Sequence, residues 1–374
     1  MSVEDFLENI QRLILDNNLN STYKLALILA IANQAGALPY HACPQASFFE
    51  IPHREIAREF LRIYWPQARV YEQLHGDSVV MRDVLRQSDN RSNALVVSLI
   101  RNFQQVIAEE GGKLTFLRAQ THPEFEDLLR DCVARVVEKN PMRYMQGHEA
   151  LFSFDVKRHK TVIARSTAIL LCRFYPIIKE LIMSRWEKKL RAIRANAAIL
   201  SESPEGSLRD FLFFPQRAET LETVKTVLTE ATGADTCFYC GRKIGMRTHA
   251  DHFLPYSRFS HTRIFNFVLA CDHCNCSKSD RLAAPEHLRH WIERNECHAE
   301  SLIESCRERF EPGAGLVPEM ALMQYRRAAG RESFWVRAGD ANRSGPITVR
   351  LDAAQAAAVF DRLENHIEAM ARYA

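Results

Sequence analysis

What the chain lacks narrows its class before any motif is read. No apolar run approaches the ~20 residues that a membrane-spanning helix needs; the longest, Leu25 to Ala32, is followed at once by Asn33 and Gln34. The first residues, Met1-Ser2-Val3-Glu4-Asp5, are acidic where a secretory signal places basic residues ahead of an apolar core. Neither sign of charge dominates: 49 Lys and Arg stand against 46 Asp and Glu, a formal net charge of +3. A nucleic-acid partner is neither demanded nor excluded, so any electrostatic footprint has to be local. No internal repeat is found, and Cys43, Cys132, Cys172, Cys276, Cys297 and Cys306 are scattered without a disulfide framework. The expectation is an intracellular, cytoplasmic protein with no membrane insertion. What is present is ordinary globular material, 47% hydrophobic and 25% charged over 374 residues, enough for two or three domains.

The informative stretch runs from Cys237 to Asp280. Two Cys-x-x-Cys pairs, Cys237/Cys240 and Cys271/Cys274, have the spacing that sets four thiolates tetrahedrally around one structural Zn²⁺. The alternatives are buried cysteines or a redox dithiol, although a thioredoxin-like motif needs a single pair in a βαβ setting. The gap between the pairs is longer than in an ordinary four-cysteine ribbon, so the metal closes a loop that carries something. In that loop Arg247-Thr248-His249-Ala250-Asp251-His252-Phe253 alternates like a short strand and stops before Pro255. Asp251 and His252 at a strand end supply what phosphodiester hydrolysis requires: a hard oxygen ligand for Mg²⁺ or Mn²⁺ and a general base near neutral pH. Asn275, directly after the last cysteine, offers a carbonyl oxygen to the same ion. Lys278, one turn further on, offers a charge to a phosphate. His249 is either a further ligand or partner of the site or a packed strand histidine. His261, Arg258 and Arg263 make a loop that either touches a nucleic-acid backbone or is simply solvated. His273 and Cys276 flank the second pair as bystanders.

Taken together these residues resemble the HNH endonucleases, whose core is a two-stranded hairpin followed by a helix around one metal. Asp251-His252-Phe253-Leu254-Pro255-Tyr256-Ser257 is similar to the family's first block, Asn266 to its middle asparagine, and Cys274-Asn275-x-x-Lys278 to its last. The last letter is Asn275 rather than histidine, a variant that other members share. The resemblance implies that His252 is the general base, that Asp251 and Asn275 hold the catalytic divalent ion, and that Asn266 holds the loop that aims His252. It implies DNA as the substrate, without excluding RNA. The rival is a zinc-stabilised DNA-binding or scaffold protein without catalysis, which has no use for Asp251, His252, Asn266 and Asn275 as a set.

The fold expected is mainly α-helical with an embedded ββα-metal zinc module: a helical region over 1–230, the nuclease module over 231–283 and a mixed extension over 284–374. Helices are expected from Phe6 to Ile14, over Tyr23 to Ala35 (apolar nearly all round), Pro52 to Tyr64, Asn93 to Glu110 closed by Gly111-Gly112, and Thr121 to Lys139. Leu38 to Phe49 and Gln73 to Asp89 read as loops. His159 to Ala198 reads as one helical stretch kinked or split at Pro176. It carries Arg185, Lys188 and Lys189, with Lys179, either as a phosphate-binding stripe or as a solvated face. Ser201 to Ser207 is the linker ahead of a helix from Ala218 to Thr232. Beyond the module come one or two helices over Pro285 to Phe310, short strands at Phe334 to Val336 and Ile347 to Leu351, and a helix from Asp352 to Tyr373. The segment Ser21 to Ala30 also resembles segments of HNH proteins from bacterial anti-phage defence operons, which implies operon-encoded defence proteins as partners.

Overall fold

The computed structural model describes residues 1–374 apart from 16–18, 39, 41–42, 44, 76–77, 91, 109–114, 146–149, 201–206, 214–216, 246–247, 260, 308, 310, 339–344 and 374, with side chains undescribed also at 72–82, 207 and 217–220. The chain forms two compact units, one of Met1–Leu38 with Gln45–Pro215, the other of Pro39–Pro44 with Gln216–Ala374. Both are mainly helical, with four small sheets among the described residues. Among the described residues no helix is long and apolar enough to cross a membrane. Of the expected linker Ser201 to Ser207, residues 201–206 lie outside the described residues, as does the Gly111-Gly112 stop, and Ser207 begins a helix.

Unit 1 contains α1 (Val3–Leu15), α2 (Tyr23–Gly36), β1 (Phe48–Pro52), α3 (His53–Tyr64), β2 (Tyr71–His75), β3 (Ser78–Asp83), α4 (Leu95–Ala108), α5 (Phe116–Ala119), α6 (Phe125–Asp131), a π-helix (Cys132–Met142), β4 (Ser153–Asp155), β5 (Lys160–Ala164), α7 (Arg165–Ala192), α8 (Ala197–Leu200) and α9 (Ser207–Phe213). The apolar sequence of α2 has the expected result: Leu25 to Ala32 are buried on every side. Asn33, the polar exception in that run, donates to Glu59 at 2.6 Å and accepts from the Tyr175 hydroxyl at 2.5 Å. Thr22, Tyr64, Gln87 and Trp186 form a second buried polar set, with Trp186 Nε1 donating to Gln87 Oε1 at 2.9 Å.

Three expectations change in this unit. The Gln73 to Asp89 loop is partly a hairpin, β2 against β3 with a register shift between Gln73 and Leu74. The stretch from His159 begins as a strand: β5 pairs with β4 on one side and β1 on the other, in the order β1-β5-β4. Its sequence, Lys160-Thr-Val-Ile-Ala, is rich in β-branched residues and alternates in burial, a pattern that competes with helix periodicity. Third, α7 runs unbroken past Pro176 from Arg165 to Ala192. Packing of Tyr175, Ile178, Ile182 and Trp186 outweighs the one backbone hydrogen bond that proline forfeits.

Unit 2 contains α10 (Arg217–Thr232), β6 (Thr248–His252), β7 (Phe267–Cys271), α11 (Asp272–Lys278), α12 (Pro285–Cys297), α13 (Ala299–Cys306), α14 (Leu316–Ala328), β8 (Phe334–Arg337), β9 (Ile347–Val349) and α15 (Ala353–Met370). Its centre is the antiparallel pair β6–β7, registered Thr248 to Cys271 and His252 to Phe267, followed directly by α11. Helix α10 belongs to this unit and packs on α13 and the hairpin. Trp291 of α12 stacks on Phe253 just beyond β6, 4.9 Å between centroids, and its Nε1 donates to the Phe265 carbonyl at 2.9 Å. A two-stranded sheet of β8 and β9 sets Trp335 beneath the cysteines, and α15 starts with Asp352 in a capping box with Gln355.

Candidate active site and zinc centre

The first cysteine pair sits in a tight knuckle. The Gly241 amide donates to the Cys237 carbonyl at 2.8 Å and the Cys237 amide to the Arg242 carbonyl at 2.7 Å. Gly241 takes the left-handed φ of +68° that this turn needs. The second pair is set by a helix start: Cys271 ends β7 as the cap residue of α11, and Cys274 lies one turn in. All four sulfurs lie within 4.8 Å of one another, with Cys240 and Cys271 3.9 Å apart. A tetrahedron with Zn–S bonds of about 2.3 Å has edges of about 3.8 Å, so the cluster fits one zinc ion. Cys237 and Cys274 are buried with Ala270 and Trp335, Cys271 is half-buried against that cluster, and Cys240 is exposed. The hydrogen bond from Cys274 pulls the Cys237 thiol down to about 4 and pushes that of Cys274 up.

From the zinc end the hairpin and α11 run side by side, and the hairpin continues to the end where Asp251 and His252 lie. Seven residues of helix span about 10 Å against about 16 Å for five residues of strand, so α11 covers the zinc-proximal part of the hairpin's length. Asp251 is buried, and its Oδ2 accepts from the Tyr239 hydroxyl at 2.6 Å and lies 3.0 Å from Lys278 Nζ. Its Oδ1 has no hydrogen-bond partner among the described residues. Tyr239 stands between the two cysteines of the first knuckle, so the zinc centre is tied to Asp251 through one side chain. Burial, and then the neighbouring Asp251 anion, push the Tyr239 phenol well above its usual range, which keeps it a donor. Tyr239 was not foreseen from the sequence; a hydroxyl-bearing aromatic inside a Cys-x-x-Cys pair is the signal that was there.

His252 is half-buried, its ring 4.2 Å from that of Phe267 and 5.4 Å from that of Tyr256. Asn266 is fully buried and clasps the loop that leaves His252: Nδ2 donates to the Leu254 carbonyl at 3.0 Å, Oδ1 accepts from the Leu254 amide at 2.8 Å, and its own carbonyl accepts from Phe253 at 2.7 Å. Asn275 is half-buried on α11, three residues from Lys278 and so on the neighbouring face, and its side-chain amide has no hydrogen-bond partner among the described residues. Helix α11, which carries Asn275, packs on β6, which carries Asp251; a carboxylate and an amide oxygen are donors of the hard type that suits Mg²⁺ or Mn²⁺.

The cations expected on phosphates are placed differently. Lys278 is fully buried, its ammonium on Asp251 and, at 2.7 Å, on the His252 carbonyl; burial pushes its pKa down. Arg258 pairs with Glu332 at 2.5 Å, and Arg263 pairs with Glu311 while packing over Gly313, where a Cβ would meet its side chain at 2.8 Å. The side chains are 20% and 14% exposed, and His261 is buried against Phe259. In unit 1, Lys189 is held by Asp89 at 2.5 Å, Arg185 is half-buried, and Lys188 is exposed. His249 lies 3.3 Å from Asp272 at the zinc end, and His273 and Cys276 are exposed.

Lys278→Met is expected to lower stability by about 3–5 kcal/mol, because it strands a buried carboxylate. The measurement is the thermal transition of unit 2 beside the KM for nucleic acid. A raised KM with an unshifted transition would return Lys278 to phosphate binding.

Comparison with known families agrees with this geometry: the family model of the HNH endonucleases matches residues 237–281. The chain thus carries an HNH domain in unit 2, with a four-cysteine cluster compatible with zinc. A second family model, described as a domain of unknown function (DUF8808), matches residues 4–205, more than half of the chain, and the protein belongs to that family. No curated protein and no solved structure matches the chain.

Proposed function

We propose that the protein is a metal-dependent endonuclease that hydrolyses phosphodiester bonds of DNA. The observation that carries this is the arrangement of elements: Asp251 and His252 end β6, Asn275 lies on α11, which packs on β6 and β7, and Asp251 is held through Oδ2 by Tyr239 and Lys278. A zinc ribbon built only for stability has no use for that set. Asp251 and Asn275 would hold Mg²⁺ or Mn²⁺, which supplies positive charge where negative charge builds on the phosphate and the leaving oxygen. The imidazole of His252 takes the proton of a water as its oxygen attacks phosphorus, and the P–O bond to the departing sugar oxygen breaks. Asn266 keeps Leu254, and with it the chain leaving His252, in place while the proton moves. Tyr239 and Lys278 hold Asp251 through Oδ2, leaving Oδ1 for the ion.

The setting that we propose is bacterial anti-phage defence, with operon-encoded partners, on the resemblance of Ser21 to Ala30 to segments of such proteins. Duplex DNA, single-stranded DNA and RNA of one sequence, each incubated with the protein in Mg²⁺, Mn²⁺ or EDTA, test the activity. Cleavage of DNA in either metal and none in EDTA is expected. Cleavage of RNA alone would overturn the substrate, and cleavage that persists in EDTA would overturn the metal.

A further inference from the structure

Unit 1 brings together three side chains that the nuclease reading does not use. His53 is the first residue of α3 and is fully buried; Glu138 lies in the π-helix; His159 closes the turn between β4 and β5 with its side chain 65% exposed. Both imidazoles turn Nδ1 to the same oxygen, Glu138 Oε1, each at 2.6 Å. The rings stand nearly perpendicular, 6.3 Å apart.

Three features of the backbone aim these groups. The register of β1 on β5 ends at Pro52 opposite Lys160, and the His53 amide donates to the His159 carbonyl at 2.8 Å, so the histidines are neighbours across the end of the sheet. His159 adopts a φ of +53°, a left-handed conformation shared among described non-glycine residues only with Ser279. Glu138 projects from eleven residues of π-helix, which is rare and recurs at functional sites. Left-handed histidine and π-helix each cost free energy, and such costs gather where side-chain direction matters.

We propose that His53 Nδ1, His159 Nδ1 and the Glu138 carboxylate form a second metal site, for a divalent transition-metal ion of which zinc is the preferred case. Two imidazole nitrogens and one carboxylate are a zinc donor set, and the imidazoles disfavour Mg²⁺ and Ca²⁺. The metal-free arrangement, one carboxylate oxygen approached by two ring nitrogens, brings the same three ligand atoms within 4.8 Å of one another. Three protein ligands would leave a fourth position for water. The ion would fasten the β4–β5 turn to α3 and the π-helix. One cost is at His53 Nε2, which is buried without a partner among the described residues and would carry the ring hydrogen once Nδ1 is given to the ion.

The test is zinc content, measured on the full-length protein after stripping with chelator, reloading with ZnCl₂ and desalting. Wild type should hold one equivalent more than either His159→Ala or Glu138→Gln, while Cys274→Ser loses a different equivalent and the double variant His159→Ala/Cys274→Ser loses both. Added ZnCl₂ should raise the melting temperature of unit 1 in wild type and leave it unmoved in the two unit 1 variants. His159 is exposed and Gln is isosteric with Glu, so both variants keep the fold. Equal zinc content in wild type and both variants would overturn the site and leave the cysteine centre standing.

Discussion

His252→Ala should cleave DNA about 10²- to 10⁴-fold more slowly than wild type, the range that loss of general-base help typically brings. The substitution also removes a ring packed on Phe267 and Tyr256, so a loss of activity could come from disorder instead. Two observations separate the causes. His252→Asn keeps part of the volume and takes no proton near neutral pH, and it should be as slow as the alanine variant. The thermal transition of unit 2 should move little in either, since the ring is only half-buried and the clasp of Asn266 on Leu254 is untouched. Conversion of supercoiled plasmid to relaxed or linear product, in Mg²⁺ or Mn²⁺ with EDTA controls, gives the rate. Equal rates for wild type and both variants would point to a contaminating nuclease and remove His252 from the mechanism.

The site was legible in sequence to the degree that it is local. The two cysteine pairs, the strand ending at Asp251-His252 and the helix carrying Asn275 lie within a single short stretch, where spacing marks the cysteines and the elements between them. Tyr239 needed the third dimension, because its reach to Asp251 depends on how the first knuckle folds over β6. Lys278 shows the opposite failure: one turn beyond Asn275, a lysine reads as a phosphate ligand, and only packing reveals that its ammonium is enclosed with a carboxylate. The ion pairs of Arg258 and Arg263 were hidden for the same reason, since Glu332 and Glu311 come from distant parts of the chain. The helical character of unit 1 followed from apolar periodicity and from the all-apolar α2. Its three-stranded sheet did not, because its strands are only three to five residues long and β1 reaches β5 across more than a hundred residues of sequence, while β4 meets β5 in a short local hairpin. The His53, Glu138 and His159 cluster was invisible for that reason: no local pattern marks residues that a sheet register and a π-helix bring together.

Cys274→Ser should unfold unit 2 and abolish cleavage, although it touches none of Asp251, His252, Asn266 or Asn275. A structural zinc contributes about 10–16 kcal/mol of apparent binding free energy in zinc-finger peptides, at or above the whole stability of an ordinary domain, about 5–15 kcal/mol. Serine is a poor zinc ligand, and at this position it would also set a hydroxyl among Cys237, Ala270 and Trp335. The damage then passes to the site by a route visible in the structure. Releasing Cys237 and Cys240 frees Tyr239 between them, and Asp251 loses the phenol that fixes Oδ2. Releasing Cys271 and Cys274 frees the start of α11, the helix that carries Asn275 and Lys278. Calorimetry should show the transition of unit 2 lost or displaced far downward and that of unit 1 retained, with zinc content reduced by one equivalent. In wild type the same four thiolates should resist alkylation until a chelator is added. A Cys274→Ser protein that melts and cleaves like wild type while lacking that zinc would mean that Trp335, Trp291 and the surrounding helices hold the hairpin without the ion, and that the cysteines serve another purpose.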